Sequence, residues 1–301
     1  MTHRERTLLL GFPDYTPQAR ALAAALGVPY ADIEVHHFPD GESRLRLPPQ
    51  LPARVIICRS LNDPNAKLVE LLLAAETARE LGARELILVA PYLCYMRQDT
   101  AFHPGESVSQ RSIGRWLGTH FDTLITVDPH LHRVHDLAEA IPAKRALALS
   151  AAPLLGEYAA QHFDKPLLLG PDAESAQWVA AAAQAGQLQG AVASKQRRDD
   201  HSVIVTLPDI DVQGRSVVII DDIASTGGTL ARAAEALYAH GAADVHALVT
   251  HALFVDHAEQ RLRDAGIRSL HSSDSIAHAS NALALAGLLA EACRETFDMQ
   301  A

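Results

Sequence analysis

Short runs of consecutive apolar residues recur along the chain, separated by stretches in which Ala and Leu return every three or four positions. The apolar runs are Thr7–Gly11, Arg54–Arg59, Glu85–Ala90, Thr123–Val127, Pro166–Leu169, Val203–Val205, Ser216–Ile220 and Val245–Thr250. Most are apolar throughout rather than alternating, as a strand must be when both faces of a parallel sheet are covered. Between them the spacing predicts helices over Pro17–Leu26, Ala66–Leu81, Val108–Leu117 and Leu230–His240. Thr16 is expected as N-cap of the first, with Pro17 at its first helical position. The last sets Leu230, Ala233, Ala234 and Leu237 on one face and stops at Gly241. Strands alternating with helices predict an α/β fold with doubly wound, mostly parallel sheets. The series runs twice, which divides the chain into domains at 1–148 and 149–301 and leaves the last helix free to pack back on the first.

The 301 residues and 48% hydrophobic content suffice for two cores. A net charge of −10 argues against a broad nucleic-acid surface, though not against a local cationic pocket. Cys58, Cys94 and Cys293 are odd in number and widely spaced, which suggests reduced thiols and a cytoplasmic setting. No signal peptide and no membrane span is expected.

Ser216 through Leu230 concentrates chemistry. A β-branched run ends in Asp221 and Asp222, a turn of Ser225, Thr226, Gly227 and Gly228 follows, and a helix starts at Thr229 and Leu230. Backbone amides of such a turn, backed by a helix N-terminus, cradle an anion. Gly227 and Gly228 can take positive φ and admit a phosphate close to the backbone. Paired acids beside the turn suit ribose hydroxyls or a magnesium-bound anion. No Lys opens the helix, so this is not a nucleotide P-loop.

Four further segments carry polar clusters at predicted strand ends, where open α/β sheets bind ligands. Arg97, Gln98 and Asp99 follow one apolar run, and Arg97 offers a planar fork for phosphate. His130, His132 and His135 follow another. Their spacing resembles a zinc cluster, but a binuclear hydrolase would want an acid where Val134 stands, so a single His130 on Mg2+ fits better. Asp172, Glu174 and Ser175 follow a third, where Asp172 suits a sugar or hydrated Mg2+ and its neighbours suit a helix start. Lys195 and Arg197 lie two apart in a charged stretch whose residues Arg197–Ser202 look mobile. A cationic loop there could close over a polyphosphate.

In this order the segments resemble those of ribose-phosphate pyrophosphokinases over nearly the whole chain. Phe38-Pro-Asp40-Gly-Glu42 is similar to an early F-x-D-G-E element, Arg97-Gln-Asp99 to an ATP-binding R-Q-D, and Asp128-Pro-His130 to a D-x-H metal segment. Pro171-Asp172 resembles the start of a pyrophosphate loop, Lys195-Gln-Arg197 a K-x-R catalytic loop, Asp221–Thr229 the ribose-phosphate loop, and Thr250-His251 a later T-H.

The resemblance implies two similar phosphoribosyltransferase-like domains. It implies transfer of the β,γ-diphosphoryl group of MgATP to the 1-hydroxyl of ribose 5-phosphate, giving phosphoribosyl pyrophosphate and AMP. It places ribose 5-phosphate at Asp221, Asp222, Ser225, Thr226, Gly227, Gly228 and Thr229, and ATP at Arg97, Gln98 and Asp99. Phe38, Asp40 and Glu42 would meet the adenine of ATP on a neighbouring subunit, so a homo-oligomer, dimer or hexamer, is expected. Mg2+ falls to His130 and Asp172, and catalysis to Lys195 and Arg197. The chain departs from the family at Glu174 and Ser175, where glycine or alanine is usual, and at Leu47–Arg54, which lacks a turn linked to ADP and phosphate regulation. Alternatives are a non-catalytic regulatory relative, which Glu174 favours, and a phosphoribosyltransferase, in which Arg97-Gln98-Asp99 and the doubled domain have no place.

Overall fold

The computed structural model describes residues 7–131, 134, 136–197 and 203–298, without the side chains of 195–197, 203, 204 and 298. The chain divides into two compact units, Met1–Leu149 with Ala284–Ala301, and Ser150–Leu283.

The first unit runs β1 (Thr7–Gly11), α1 (Thr16–Leu26), β2 (Tyr30–Asp32), β3 (Glu34–His37), β4 (Ser43–Arg46), β5 (Arg54–Cys58), α2 (Pro64–Glu80), β6 (Glu85–Val89), α3 (Ser109–His120), β7 (Thr123–Val127), α4 (Leu137–Ala140) and β8 (Arg145–Leu149). The second runs α5 (Ala152–His162), β9 (Leu167–Gly170), α6 (Ala176–Gly186), β10 (Gln189–Val192), β11 (Ser194–Arg197), β12 (Val203–Thr206), β13 (Ser216–Ala224), α7 (Gly228–Ala239), β14 (Asp244–Ala252), α8 (Ala258–Asp264), β15 (Ile267–Ser273) and β16 (Asn281–Leu283). The last helix, α9 (Ala286–Asp298), belongs to the first unit. There Arg145 Nη1 donates to the Thr296 carbonyl at 3.0 Å, and Arg54 stacks over the Phe297 ring at 4.5 Å.

Each unit is built on a six-stranded sheet, ordered β2-β1-β5-β6-β7-β8 and β10-β9-β13-β14-β15-β16, with every pairing parallel. The two orders are the same when strands are counted along each unit. In each, an antiparallel hairpin, β3–β4 or β11–β12, stands between the second and third sheet strands. The chain reverses direction across the sheet between β1 and β5, and between β9 and β13, which makes these gaps the topological switch points.

Both faces of the second sheet are covered. Leu167, Leu169, Val217, Ile219, Val245 and Val249 belong to one buried cluster, and Leu168, Val218, Ile220 and Leu248 to another. Adjacent residues of one strand thus enter opposite cores, which is why these strands read as unbroken apolar runs.

Three local expectations change. Thr16 is not a cap: a short 3-10 turn, Pro13–Tyr15, leads straight into α1, and the Thr16 hydroxyl donates to the Phe12 carbonyl at 3.1 Å. The strand before the glycine turn does not stop at Ile220 but runs to Ala224, because its neighbour β14 continues alongside to Ala252. The charged segment Ser194–Arg197 is a strand, with antiparallel pairing of Lys195 with Val205 and Arg197 with Val203. Of the stretch expected to be mobile, residues 198–202 lie outside the described residues.

Candidate functional site

The second unit's switch point collects three predicted acids. Asp172 follows β9, and Asp221 and Asp222 lie on the adjacent β13. Asp222 is buried and Asp221 keeps some exposure. The carboxyl of Asp221 is nevertheless strongly desolvated, and burial, then the charges of Asp222 and Asp172, push its pKa well above the ordinary carboxylate value. It accepts one backbone hydrogen bond, from the Asp222 amide at 3.1 Å. Acids grouped in this way favour positive charge or hydroxyl donors beside them.

Next to it stands the glycine turn. Gly227 has φ +73° and caps α7 without a side-chain hydrogen bond to the helix. A Cβ there would lie 3.2 Å from the Leu262 side chain. Gly228 differs from the sequence expectation: it is the first residue of α7 and needs no positive φ. A Cβ on it would meet only the Thr226 hydroxyl, at 3.8 Å, so glycine there leaves the front of the turn open. The first turn of α7 carries amides without intrahelical acceptors, aimed out of the sheet's carboxyl edge. The turn is held from behind. Val255 N donates to the Ser225 carbonyl at 3.1 Å, and Arg261 donates to the Thr226 carbonyl. Sequence reasoning missed Arg261, since nothing in its helical context marks it. Thr250 and His251, at the end of β14, are buried, and His251 Nδ1 lies 2.9 Å from the Ser275 hydroxyl.

Asp172 caps the turn Ala173–Ser175, its carboxylate accepting from the Glu174 amide at 3.1 Å. Glu174 is exposed. Ser175 is buried and donates to the Asp172 carbonyl at 2.6 Å. A Cβ on Gly170 would come 2.2 Å from the Ser175 hydroxyl, so Gly170 is what makes room for a serine here.

In the first unit, Arg97, Gln98 and Asp99 leave the carboxyl end of β6. Arg97 is exposed and Asp99 is turned inward. The loop is pinned at both ends. Tyr95, at φ +61°, donates to Asn65 at the start of α2, and Gln110 N donates to the Gln98 carbonyl at 3.2 Å. After β7, Asp128 is buried with φ +37°, although a proline follows it. That left-handed kink turns the chain toward His130. His132 and His135 lie outside the described residues. Phe38, Asp40, Gly41 and Glu42 form the exposed tip of the β3–β4 hairpin. The side chains of Lys195 and Arg197 are outside the description. Among the described residues no three His, Cys, Asp or Glu side chains form a ready metal cage. No helix among the described residues is long and apolar enough to cross a membrane.

Residues 8–120 match the family model of the N-terminal domain of ribose phosphate pyrophosphokinase, and residues 146–283 that of the phosphoribosyl transferase domain. The ribose-phosphate pyrophosphokinase of Methanopyrus kandleri is 35% identical over 91% of this chain and 94% of its own. That of Methanosarcina acetivorans is 33% identical over 95% and 99%. Among solved structures, phosphoribosylpyrophosphate synthetase from Mycobacterium smegmatis aligns with a TM-score of 0.83 over 98% of this chain and 99% of that one. Its 24% identity makes this a likeness of fold.

Proposed function

Because the chain belongs to the ribose-phosphate pyrophosphokinase family, we infer that it transfers the β,γ-diphosphoryl group of MgATP to the 1-hydroxyl of ribose 5-phosphate, releasing AMP. The observation that carries this is the second unit's switch point, where the desolvated Asp221 and its neighbouring acids border a turn opened by Gly227 and Gly228. A sugar phosphate answers both halves: its phosphate meets the helix amides, and its hydroxyls donate to the acids.

In this reading Ser225, Thr226, Gly227, Gly228 and Thr229 hold the 5-phosphate, and Asp221 and Asp222 hold the ribose 2- and 3-hydroxyls. Asp172 and His130 would hold Mg2+, which when bound neutralises phosphate charge on the transferred group. Arg97, Gln98 and Asp99 bind ATP from the first unit, with Phe38, Asp40 and Glu42 contacting the adenine across a homo-oligomer. Lys195 and Arg197 occupy alternate positions of β11. There they donate to the phosphoryl oxygens as charge develops. Positioning and charge neutralisation supply most of such catalysis, since the phosphoryl transition state asks little covalent chemistry of the protein. The site is that of a soluble, cytoplasmic enzyme with free, buried cysteines.

A coupled assay for AMP from ATP and ribose 5-phosphate tests this. AMP formation dependent on both substrates supports it. A folded chain that yields none is a non-catalytic relative, and base-dependent pyrophosphate release from phosphoribosyl pyrophosphate would mark a phosphoribosyltransferase.

A further inference from the structure

The two units share a strand order, yet their switch points are used differently. In the second unit the charges of Asp222 and Asp172 both push the Asp221 pKa up. In the first, four charges are matched within the protein. Arg59, at the end of β5, is buried and stacks 4.0 Å over the Phe12 ring. Its Nε lies 3.0 Å from Asp14, and its Nη2 lies 2.7 Å from Glu70. Lys67 also reaches Asp14, at 2.8 Å.

Glu70 sits on α2 and is 1% exposed. Its Oε2 faces Arg59, and its Oε1 serves the β3–β4 hairpin. The Ser43 hydroxyl donates to Oε1 at 2.9 Å, and His37 Nε2 lies 2.8 Å from the same atom. His37 and Ser43 are the last cross-strand pair before the tip. A single buried oxygen therefore ties both stems of the hairpin at its neck. Burial pushes the Glu70 carboxyl up, but hydrogen bonds from His37, Arg59 and Ser43 and the charge of Arg59 outweigh it and hold it below the ordinary range. The carboxylate is thus kept ionised, the form that accepts from both sides. Beyond the neck, Phe38 N donates to Glu42 O at 2.8 Å and Gly41 N to Phe38 O at 2.9 Å, and the Phe38 ring meets the His36 ring edge-on at 4.8 Å.

We propose that Glu70 is a positioning residue for nucleotide binding, an anchor on α2 that sets the angle of the hairpin carrying Phe38, Asp40 and Glu42. It does not touch ATP; it acts through the hairpin neck, with Arg59, Asp14 and Lys67 fixing its own place. The proposal rests on the assignment of the hairpin tip to adenine recognition. Val35 and Leu45 pack one end of the ribbon on the first unit's core, and the Glu70 contacts act at its other end, next to the tip.

The test uses the full-length enzyme. His37→Ala with Ser43→Ala removes the anchor from the hairpin side and leaves the buried Glu70–Arg59 pair intact, so folding is not at stake. Glu70→Gln is the matching change on α2. Each raises the KM for ATP roughly tenfold, since misplacement by about 1 Å is costly. The KM for ribose 5-phosphate and kcat at saturating ATP stay within about twofold, an expectation that follows from leaving the second unit untouched. Ser43→Thr keeps the hydroxyl and the wild-type KM. Amide exchange at Phe38 and Gly41 accelerates in both disrupting variants, with β5 and β6 unchanged. An unchanged ATP KM in the folded double variant, or equal rises for both substrates, overturns the proposal, as does unchanged hairpin exchange. Wild-type enzyme that forms no AMP would instead sink the functional reading, and the exchange measurement would still decide whether the anchor exists.

Discussion

Gly227 and Gly228 are neighbours of the same type, and the structure predicts opposite outcomes when each is changed to Ala. Gly227 has φ +73°. An L-residue held in the left-handed region costs about 1–2 kcal/mol. The new Cβ also presses on Leu262 at 3.2 Å and on the Ala258 carbonyl at 3.4 Å, which adds roughly 1 kcal/mol of overpacking. Gly227→Ala should therefore destabilise the protein by about 2–3 kcal/mol and lower Tm by roughly 5–10 °C at this size. Gly228 is helical, and its Cβ would have only Thr226 Oγ1 within 4 Å, at 3.8 Å. Gly228→Ala removes a helix-breaking residue and should gain up to about 1 kcal/mol. It nonetheless places a methyl at the mouth of the anion site, so the KM for ribose 5-phosphate should rise at least about tenfold, the loss of roughly 1.4 kcal/mol of binding. Thermal scans and steady-state kinetics on both variants read the two effects separately. A Gly227→Ala protein as stable as wild type would refute the backbone argument. A Gly228→Ala enzyme with unchanged ribose 5-phosphate KM would refute the placement of the phosphate.

Lys195→Ala should lower kcat by roughly 100-fold through loss of a transition-state donor, with Tm unchanged; unaltered turnover in single-turnover assays removes Lys195 from that role. Asp221 has a folded-state pKa raised above its unfolded value of 3.8. Its contribution is therefore intact below that value and is lost as pH climbs through the folded pKa. Asp221→Asn should raise the Tm of ligand-free protein at neutral pH and flatten its decline from the acid side, while lowering turnover; a variant with the wild-type pH profile contradicts this. Gly170→Ala forces a Cβ to within 2.2 Å of the Ser175 hydroxyl and 3.0 Å of Val179. It should cost about 1–3 kcal/mol, and Ser175→Ala in the same chain should recover part of it, a coupling that a double-mutant cycle in denaturant measures.

Much of the fold was legible because the strands enter two cores at once. Arg54–Cys58 and Thr123–Val127 are buried at every position, so their apolar runs stand out without alternation. The β3–β4 hairpin and β11 were not legible, whereas the apolar run Val203–Val205 did mark β12. Ser194–Arg197 is wholly polar and becomes a strand only because Val203–Thr206 lies beside it to complete the ladder. Thr16 looked like a cap because its type suits one, and only the preceding 3-10 turn takes that role away.

The sequence alone determined the chemistry: which acids, hydroxyls, glycines and cations the chain carries, and in what order they follow its strands. That information is local, since a strand end and the turn after it are neighbours in the chain. Tertiary structure decided what each of them meets. It brought Asp172 into the field of Asp221 from a strand about 50 residues away, separated a left-handed Gly227 from a helical Gly228, and tied a hairpin to Glu70 on another element. Through-space electrostatics and packing act between residues that no sequence window contains.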